Sequence, residues 1–371
     1  MKKVTYIISN INKAFAFEWI TERLNKNILL EFILLNPDTS ELENFLRQKR
    51  FPVHYIKYTG KKHLPSAILK IFFILKQNKT DIIHTHLLDA SLCGIIAGKL
   101  AGIKTRIHTR HHSTYHHVYH PHAVKYDKII NKLSTHIIAI SENVKNILIE
   151  KENVTSNKIT LIHHGFDLEK FKNTDEKKVE KLKEKYGIKS SHPIIGVISS
   201  YTHWKGIQYI IPAFIQILAD YPNAKLILCN AKGEYKNEIQ HLLSELPKKN
   251  YIEIEFENDL FSLYKIFNLV IHTPIDKHSE AFGQVYVEAL AAGIPGIFTL
   301  SGIANEFIID KINALVVAYK NSNDIYLKMI EILKNEELKY FIIQNGSNDV
   351  NKLFQLKNMI NKLELLYHNA K

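Results

Sequence analysis

The segment KHSEAFGQVYVEALAAGIPG, residues 277–296, carries two glutamates with seven residues between them, Glu280 and Glu288. An apolar run, LVIHTP, leads into it. The pattern predicts a helix starting near Phe282 or Gly283, stopped by Gly293, with Pro295 leading into another strand. Val285, Ala289 and Leu290 form the inward face of that helix, and Glu288 lies among them. A carboxylate in such surroundings is costly without a partner. The helix N-terminus offers amides and the positive end of a dipole, which suit a diphosphate. Glu280, just ahead of it, can accept hydrogen bonds from sugar hydroxyls. Glu288, roughly 8 Å along the helix at about 1.5 Å per residue, can take two ribose hydroxyls. Residue types alone leave a second reading open, in which Glu280 is a solvated loop acid and Glu288 a structural ion-pair partner.

The elements that must hold such a site follow from hydrophobic patterning. In the first half, VTYIIS, LLEFILLN, VHYIKY, DIIHTHL, TRIHTR, HIIAIS and KITLIHH read as strands. Helical patterns over residues 17–25 and 90–100 lie between them. PIIGVIS, AKLILCN, YIEIEF, LVIHTP, IPGIFTL and NALVVAY repeat the alternation further on. This predicts two α/β halves, each a parallel sheet covered by helices. We expect a first domain over residues 1–166, a charged linker with a solvated helix over 167–191, and a second domain over 192–350. Over 351–371 we expect a helix returning to the first domain. Its apolar face is Leu353, Leu356, Met359, Ile360, Leu363, Leu366 and Tyr367.

The 371 residues carry a net charge of +12. Residues 1–170 hold 25 Lys and Arg against 14 Asp and Glu, and the remainder 24 against 23. The excess therefore sits in the first half, where it suits an anionic partner such as lipid headgroups or a lipid diphosphate. A lysine-rich soluble surface is the plain alternative. No known nucleic-acid motif accompanies the charge, and nucleic acid is not expected as a partner. Glycine is scarce, and neither G-x-G-x-x-G nor the phosphate-loop pattern occurs, which argues against dinucleotide-binding enzymes and phosphate-loop kinases. Gly94, Gly98 and Gly102 fall on one helix face and predict close helix-on-sheet packing. Cys93 and Cys229 read as buried hydrophobes suited to a reducing compartment. The N-terminus reads as a buried strand rather than a signal peptide, and no stretch is apolar enough to span a membrane. A cytoplasmic protein is expected, with a membrane-surface role open to it.

Two stretches invite other chemistry. RIHTRHHSTYHHVYHPH is dense in histidine, but no neighbouring Cys or acid completes a metal set, so no metal is expected. A loop facing the interdomain cleft or an anionic acceptor, and gaining charge as pH falls, is the preferred reading. LPSAILKIFFILKQ, residues 64–77, can lie on a membrane surface, although packing on the sheet explains it more simply.

With its flanks, the paired-glutamate segment resembles the E-x7-E region of the retaining GT-B glycosyltransferases of family four. SEAFGQVYVEALAAGIPGI and the following SGIANEFIIDKINALVV are similar to that family's donor-site blocks. WKGIQYIIPAF, ITLIHHGFDLEKF and the stretch ending in Thr109–Arg110–His111 match other blocks in order. The resemblance implies a GT-B fold of two Rossmann-like α/β/α domains facing a central cleft. It implies transfer of a sugar from a nucleotide-diphosphate donor with retention of configuration, without metal or other cofactor. A lipid-linked or cell-envelope glycan acceptor fits the family and the charge. Implied catalytic residues are His111, near the donor sugar, and Glu280. Lys205, Gly206, Ser200, Ala281, Phe282, Gly283, Glu288 and Glu306 are implied on the donor. Two features depart from the pattern: Ser200 stands where the family carries Arg, and SNINKAFAFEW replaces a glycine-rich loop. A nucleotide-sugar epimerase or sugar phosphorylase on the same fold, and a basic nucleic-acid-binding protein, are the alternatives.

Overall fold

A computed structural model describes residues 1–24 and 28–370. The chain divides into two compact units: residues 1–166 with 356–371, and residues 167–355.

In the first unit, seven strands form one parallel sheet: β1 (Lys3–Ser9), β2 (Leu29–Asn36), β3 (Val53–Lys57), β4 (Ile82–His86), β5 (Thr105–Arg110), β6 (His136–Ala139) and β7 (Ile159–Leu161). Their order is β3-β2-β1-β4-β5-β6-β7. The second unit repeats the scheme with β8 (Ile194–Ile198), β9 (Lys225–Cys229), β10 (Tyr251–Ile254), β11 (Leu269–His272), β12 (Gly296–Phe298) and β13 (Leu315–Val316), ordered β10-β9-β8-β11-β12-β13. Central strands buried on both faces, such as β1, β2 and β11, read as near-continuous apolar runs, while the less buried β3, β7 and β10 were visible through alternation and β-branched residues. In both sheets the order reverses beside the first strand, between β1 and β4 and between β8 and β11. Connections leave in opposite directions there and open a crevice at the carboxyl ends of the strands.

The helix Leu88–Leu100 shows how closely the layers pack. A Cβ on Gly94 would lie 2.7 Å from Ile7 Cδ1, and one on Gly98 would lie 2.3 Å from Ile83 Cδ1. Gly102 differs from the expectation: it is past the helix end at φ +75° with open space about it. The helix expected over residues 17–25 is Phe15–Leu24, and Asn25 lies outside the described residues.

Two elements depart from the sequence reading. The stretch expected as a linker folds into the second unit as helices Leu168–Lys172 and Glu176–Lys185. The second of these packs on the helix Leu260–Lys265, burying Val179 and Leu182. Its ten residues, EKKVEKLKEK, offer few apolar positions to reveal that face. At the C-terminus, Leu353 ends one long helix, Glu336–Leu353, and is exposed. A separate helix, Leu356–Asn369, belongs to the first unit and buries Leu356, Met359, Ile360, Leu363, Leu366 and Tyr367. The Tyr367 hydroxyl meets Tyr6 Oη at 2.7 Å and His84 Nδ1 at 2.5 Å, tying this helix to β1 and β4.

Candidate functional site

In the second unit the predicted residues gather where the strand order reverses. After β8 comes the turn that carries Ser200 and Lys205, and β11 ends at His272, followed by the loop with Glu280. Lys205 Nζ donates to Glu280 Oε1 in an ion pair. His272 Nε2 donates to the same oxygen at 2.9 Å, and its Nδ1 accepts from Ser199 Oγ at 3.2 Å. The Glu280 amide donates to Ser301 Oγ at 3.0 Å. Glu280 is only 6% exposed, which removes the reading of a solvated loop acid. Burial pushes its pKa upward, but the Lys205 charge and the His272 hydrogen bond outweigh that and hold it at about 2. Lys205 also lies over the Trp204 ring, 4.3 Å from its centroid.

Backbone close to Lys205 is fitted as tightly as the charges. Gly206 adopts φ +76°, and a Cβ there would lie 1.9 Å from the Thr273 carbonyl oxygen. It begins the helix Ile207–Asp220, and Gly283 in turn begins Gln284–Ala291, one residue after the expected start. Neither helix carries a side-chain cap, so both present N-terminal amides. Thr202 Oγ1, Trp204 Nε1 and Thr273 Oγ1 are buried with no hydrogen-bond partner among the described residues. Buried polar groups are normally satisfied. Their concentration around one lysine, beside two uncapped helices, marks a place able to receive a ligand rich in acceptor oxygens.

Glu288 sits on the helix Gln284–Ala291, 7% exposed. Among the described residues its partner is the Tyr264 hydroxyl, which donates to Oε2 at 2.7 Å, not the cation that the ion-pair reading required. Burial raises the Glu288 pKa to about 7, against the weaker opposing effect of that hydrogen bond. Phe282 is buried edge-on against Phe354, with centroids 5.9 Å apart, and its carbonyl accepts from the Ile303 amide at 2.9 Å. Ala281 lies between Glu280 and Phe282 in this loop, and Glu306 is on the short turn of helix Ala304–Phe307. The geometry thus brings Lys205, Gly206 and Glu280 together, with Gly283 beginning the next helix.

His111 belongs to the first unit, directly after β5. Its Nε2 meets His86 Nδ1 at 3.0 Å, and its ring stacks on His164 with centroids 5.7 Å apart. Burial pushes both His111 and His112 down to about 3. These two imidazoles are neutral near pH 7 and supply none of the charge expected of the run as pH falls. His112, His116 and Asp127 also bring three metal-competent atoms within 4.8 Å of one another. Asp127 is the acid that the sequence did not place beside the histidines.

The site includes residues that sequence reading missed: His272, Ser199, Ser301 and Tyr264. One signal was available, since His272 closes the apolar strand LVIH and a buried imidazole there needs a polar partner. Nothing marked Tyr264, which sits on a helix 24 residues before the glutamate it binds.

The fold is GT-B. Residues 29–170 match the family described as Glycosyltransferase Family 4, and residues 178–349 the one described as Glycosyl transferases group 1. Anabaena Alr3699/HepE in complex with UDP-glucose superposes with a TM-score of 0.86 at 18% identity, covering 99% of this chain and 100% of that one. The capsular polysaccharide biosynthesis glycosyltransferase CapM of Staphylococcus aureus is 27% identical over 357 residues, covering 87% of this chain and 91% of its own. The alpha-monoglucosyldiacylglycerol synthase of Acholeplasma laidlawii is 26% identical over 195 residues, covering 50% of this chain and 47% of that protein. The chain belongs to the family-four GT-B glycosyltransferases and is an enzyme of that class.

Gly206→Ala should destabilise the fold by at least about 2 kcal/mol, because a positive φ and a backbone clash coincide there. A thermal melt of purified protein checks this, and an unchanged melting temperature contradicts the geometry.

Proposed function

We propose that the protein transfers a sugar from a nucleoside-diphosphate sugar, with retention of configuration, to a lipid-linked or cell-envelope glycan acceptor. The half-buried Lys205 paired with buried Glu280 and His272, beside two uncapped helix starts, carries this reading. In it, the donor diphosphate takes the Lys205 ammonium and the free amides, while Glu280, kept ionised, accepts from the sugar hydroxyls. Glu288 accepts from the ribose. As the bond between the sugar and the phosphate oxygen breaks, negative charge grows on the leaving group, and Lys205 with the helix dipoles offsets it. With Ser200 in place of the family arginine, Lys205 carries more of that task. His111, a neutral imidazole, is assigned to the donor sugar. Glu306 adds a donor contact, and the transfer itself needs no metal.

The acceptor side rests on the first unit. Among the described residues no helix is long and apolar enough to cross a membrane. The helix Leu64–Gln77 packs inward through Ala67, Ile71 and Leu75, yet leaves Leu69 and Phe73 more than half exposed. Lys61, Lys62, Lys70 and Lys76 surround that face and are exposed. Apolar side chains within a basic rim suit the surface of an anionic bilayer, where a cytoplasmic enzyme would meet a lipid-linked acceptor. The relatives named for capsule synthesis and for a glycolipid agree with such an acceptor.

Three measurements test this reading. Lys205→Met and Glu280→Gln should each lower transfer by roughly 10²–10³-fold, the scale of about 3–4 kcal/mol for one transition-state donor. Wild-type turnover in either folded variant would end the assignment. A carboxylate that accepts from ribose must be ionised, so nucleoside-diphosphate affinity should rise about tenfold from pH 6 to pH 8 as Glu288 loses its proton near pH 7. Glu288→Gln should flatten that profile in a calorimetric titration, and an unchanged slope would remove the ribose role. The double variant Leu69→Ser, Phe73→Ser should lose at least about tenfold in binding to phosphatidylglycerol vesicles, given the apolar area withdrawn. Equal sedimentation with vesicles would remove the membrane contact.

A further inference from the structure

The histidine-rich segment after β5 folds around a buried charge imbalance. Arg110 is 1% exposed, and its guanidinium faces Asp127 Oδ1 at 3.0 Å and Glu152 Oε1 at 2.5 Å, both carboxylates being as deeply buried. The remaining partners of the two acids among the described residues are neutral or titratable. Asn131 Nδ2 donates to Glu152 Oε2 at 2.6 Å, and His117 Nε2 lies 3.0 Å from Glu152 Oε1. His112 Nε2 and His116 Nδ1 approach Asp127 Oδ2 at 3.3 and 2.7 Å. One permanent positive charge therefore faces two negative ones out of water. Burying a net charge is expensive, so a second cation is called for.

We propose that His112 Nε2, His116 Nδ1 and Asp127 Oδ2 form a three-ligand site for a divalent transition-metal cation of the zinc class. The donor set is two imidazole nitrogens and one carboxylate oxygen, a combination zinc takes with an open fourth position. A tetrahedral ion with bonds of about 2.0–2.1 Å holds its donor atoms about 3.3 Å apart; His112 Nε2 and Asp127 Oδ2 are at that separation, and all three donor atoms lie within 4.8 Å of one another. Asp127 is already oriented from behind by Arg110, as ligating carboxylates commonly are. On binding, the contact between His116 Nδ1 and the carboxylate gives way to two metal bonds, and the imidazole proton resides on Nε2.

A second observation points the same way. The ligands line a cavity of about 200 Å³ within the first unit, together with His108, Thr109 and Tyr115. His108 is 3% exposed; its Nδ1 meets Ser91 Oγ at 2.9 Å, while its Nε2 has no partner among the described residues. A water on the open metal position would give that nitrogen the partner it lacks. The ion would tie the segment after β5, including helix Tyr115–Tyr119, to helix Val124–Leu133, which carries Asp127. Its role is to hold that segment and supply the missing charge.

Chelator-stripped full-length protein, titrated with zinc chloride against a chromophoric chelator, tests the site. In parallel, cobalt chloride reports coordination by visible absorption. One zinc per chain is expected, with the strong cobalt bands of a four- or five-coordinate ion. His112→Gln and Asp127→Asn should each weaken binding at least tenfold, while His241→Gln, on an exposed histidine of the second unit, should leave it unchanged. If Asp127→Asn fails to fold because Arg110, His112 and His116 lose their shared carboxylate, the partly exposed His112 carries the test alone. No zinc uptake, or equal affinity in wild type and His112→Gln, overturns the site.

Discussion

A half-buried lysine and a buried glutamate, joined at the carboxyl end of a parallel sheet, set the geometry of the site in the second unit. Withdrawing each ion from solvent costs several kcal/mol, and an interior pair recovers that only with good geometry and further hydrogen bonds. Lys205, Glu280, His272, Ser199 and Ser301 form that supporting set. The backbone serves the same end. Gly206 must accept a positive φ and pass against the Thr273 carbonyl so that the helix after it starts next to Lys205. A half-buried lysine held in this way keeps its ammonium positioned to meet an anion that arrives.

The sheet topology explains why the pair falls where it does. Both units run their strands in the same sense and reverse order next to the first strand. In the second unit the reversal delivers Lys205 from one connection and His272 with Glu280 from the other. The matching place in the first unit collects histidines: His84 and His86 from β4, and His111 after β5. Each unit thus supplies a crevice of the same topology, lined by charged groups in the second unit and by neutral imidazoles in the first. Burial enforces that difference, since it holds His84, His86 and His111 uncharged near neutral pH.

Much of this was legible in sequence because buried parallel strands write themselves as apolar runs. Glu280 and Glu288 were visible as acids in apolar company, and Lys205 and Gly206 through the blocks they share with a family. What was not legible depended on contacts distant along the chain. Tyr264 reaches Glu288 from another helix, and Asp127 completes a cluster with His112 and His116 across a turn. The helix Glu176–Lys185 looked like a solvated linker since only Val179 and Leu182 are buried from it. Leu353 continued an apolar period across a break at residues 354–355, and periodicity alone cannot show a helix ending one residue too soon.

In the proposed reaction Lys205 exchanges its carboxylate partner for the phosphates of a donor. A crystal structure with a nucleoside diphosphate bound tests it most directly. A phosphate oxygen is expected within hydrogen-bond distance of Lys205 Nζ and of the amides that open the helix Ile207–Asp220. A nucleotide bound elsewhere, with Lys205 still held by Glu280 alone, would contradict it.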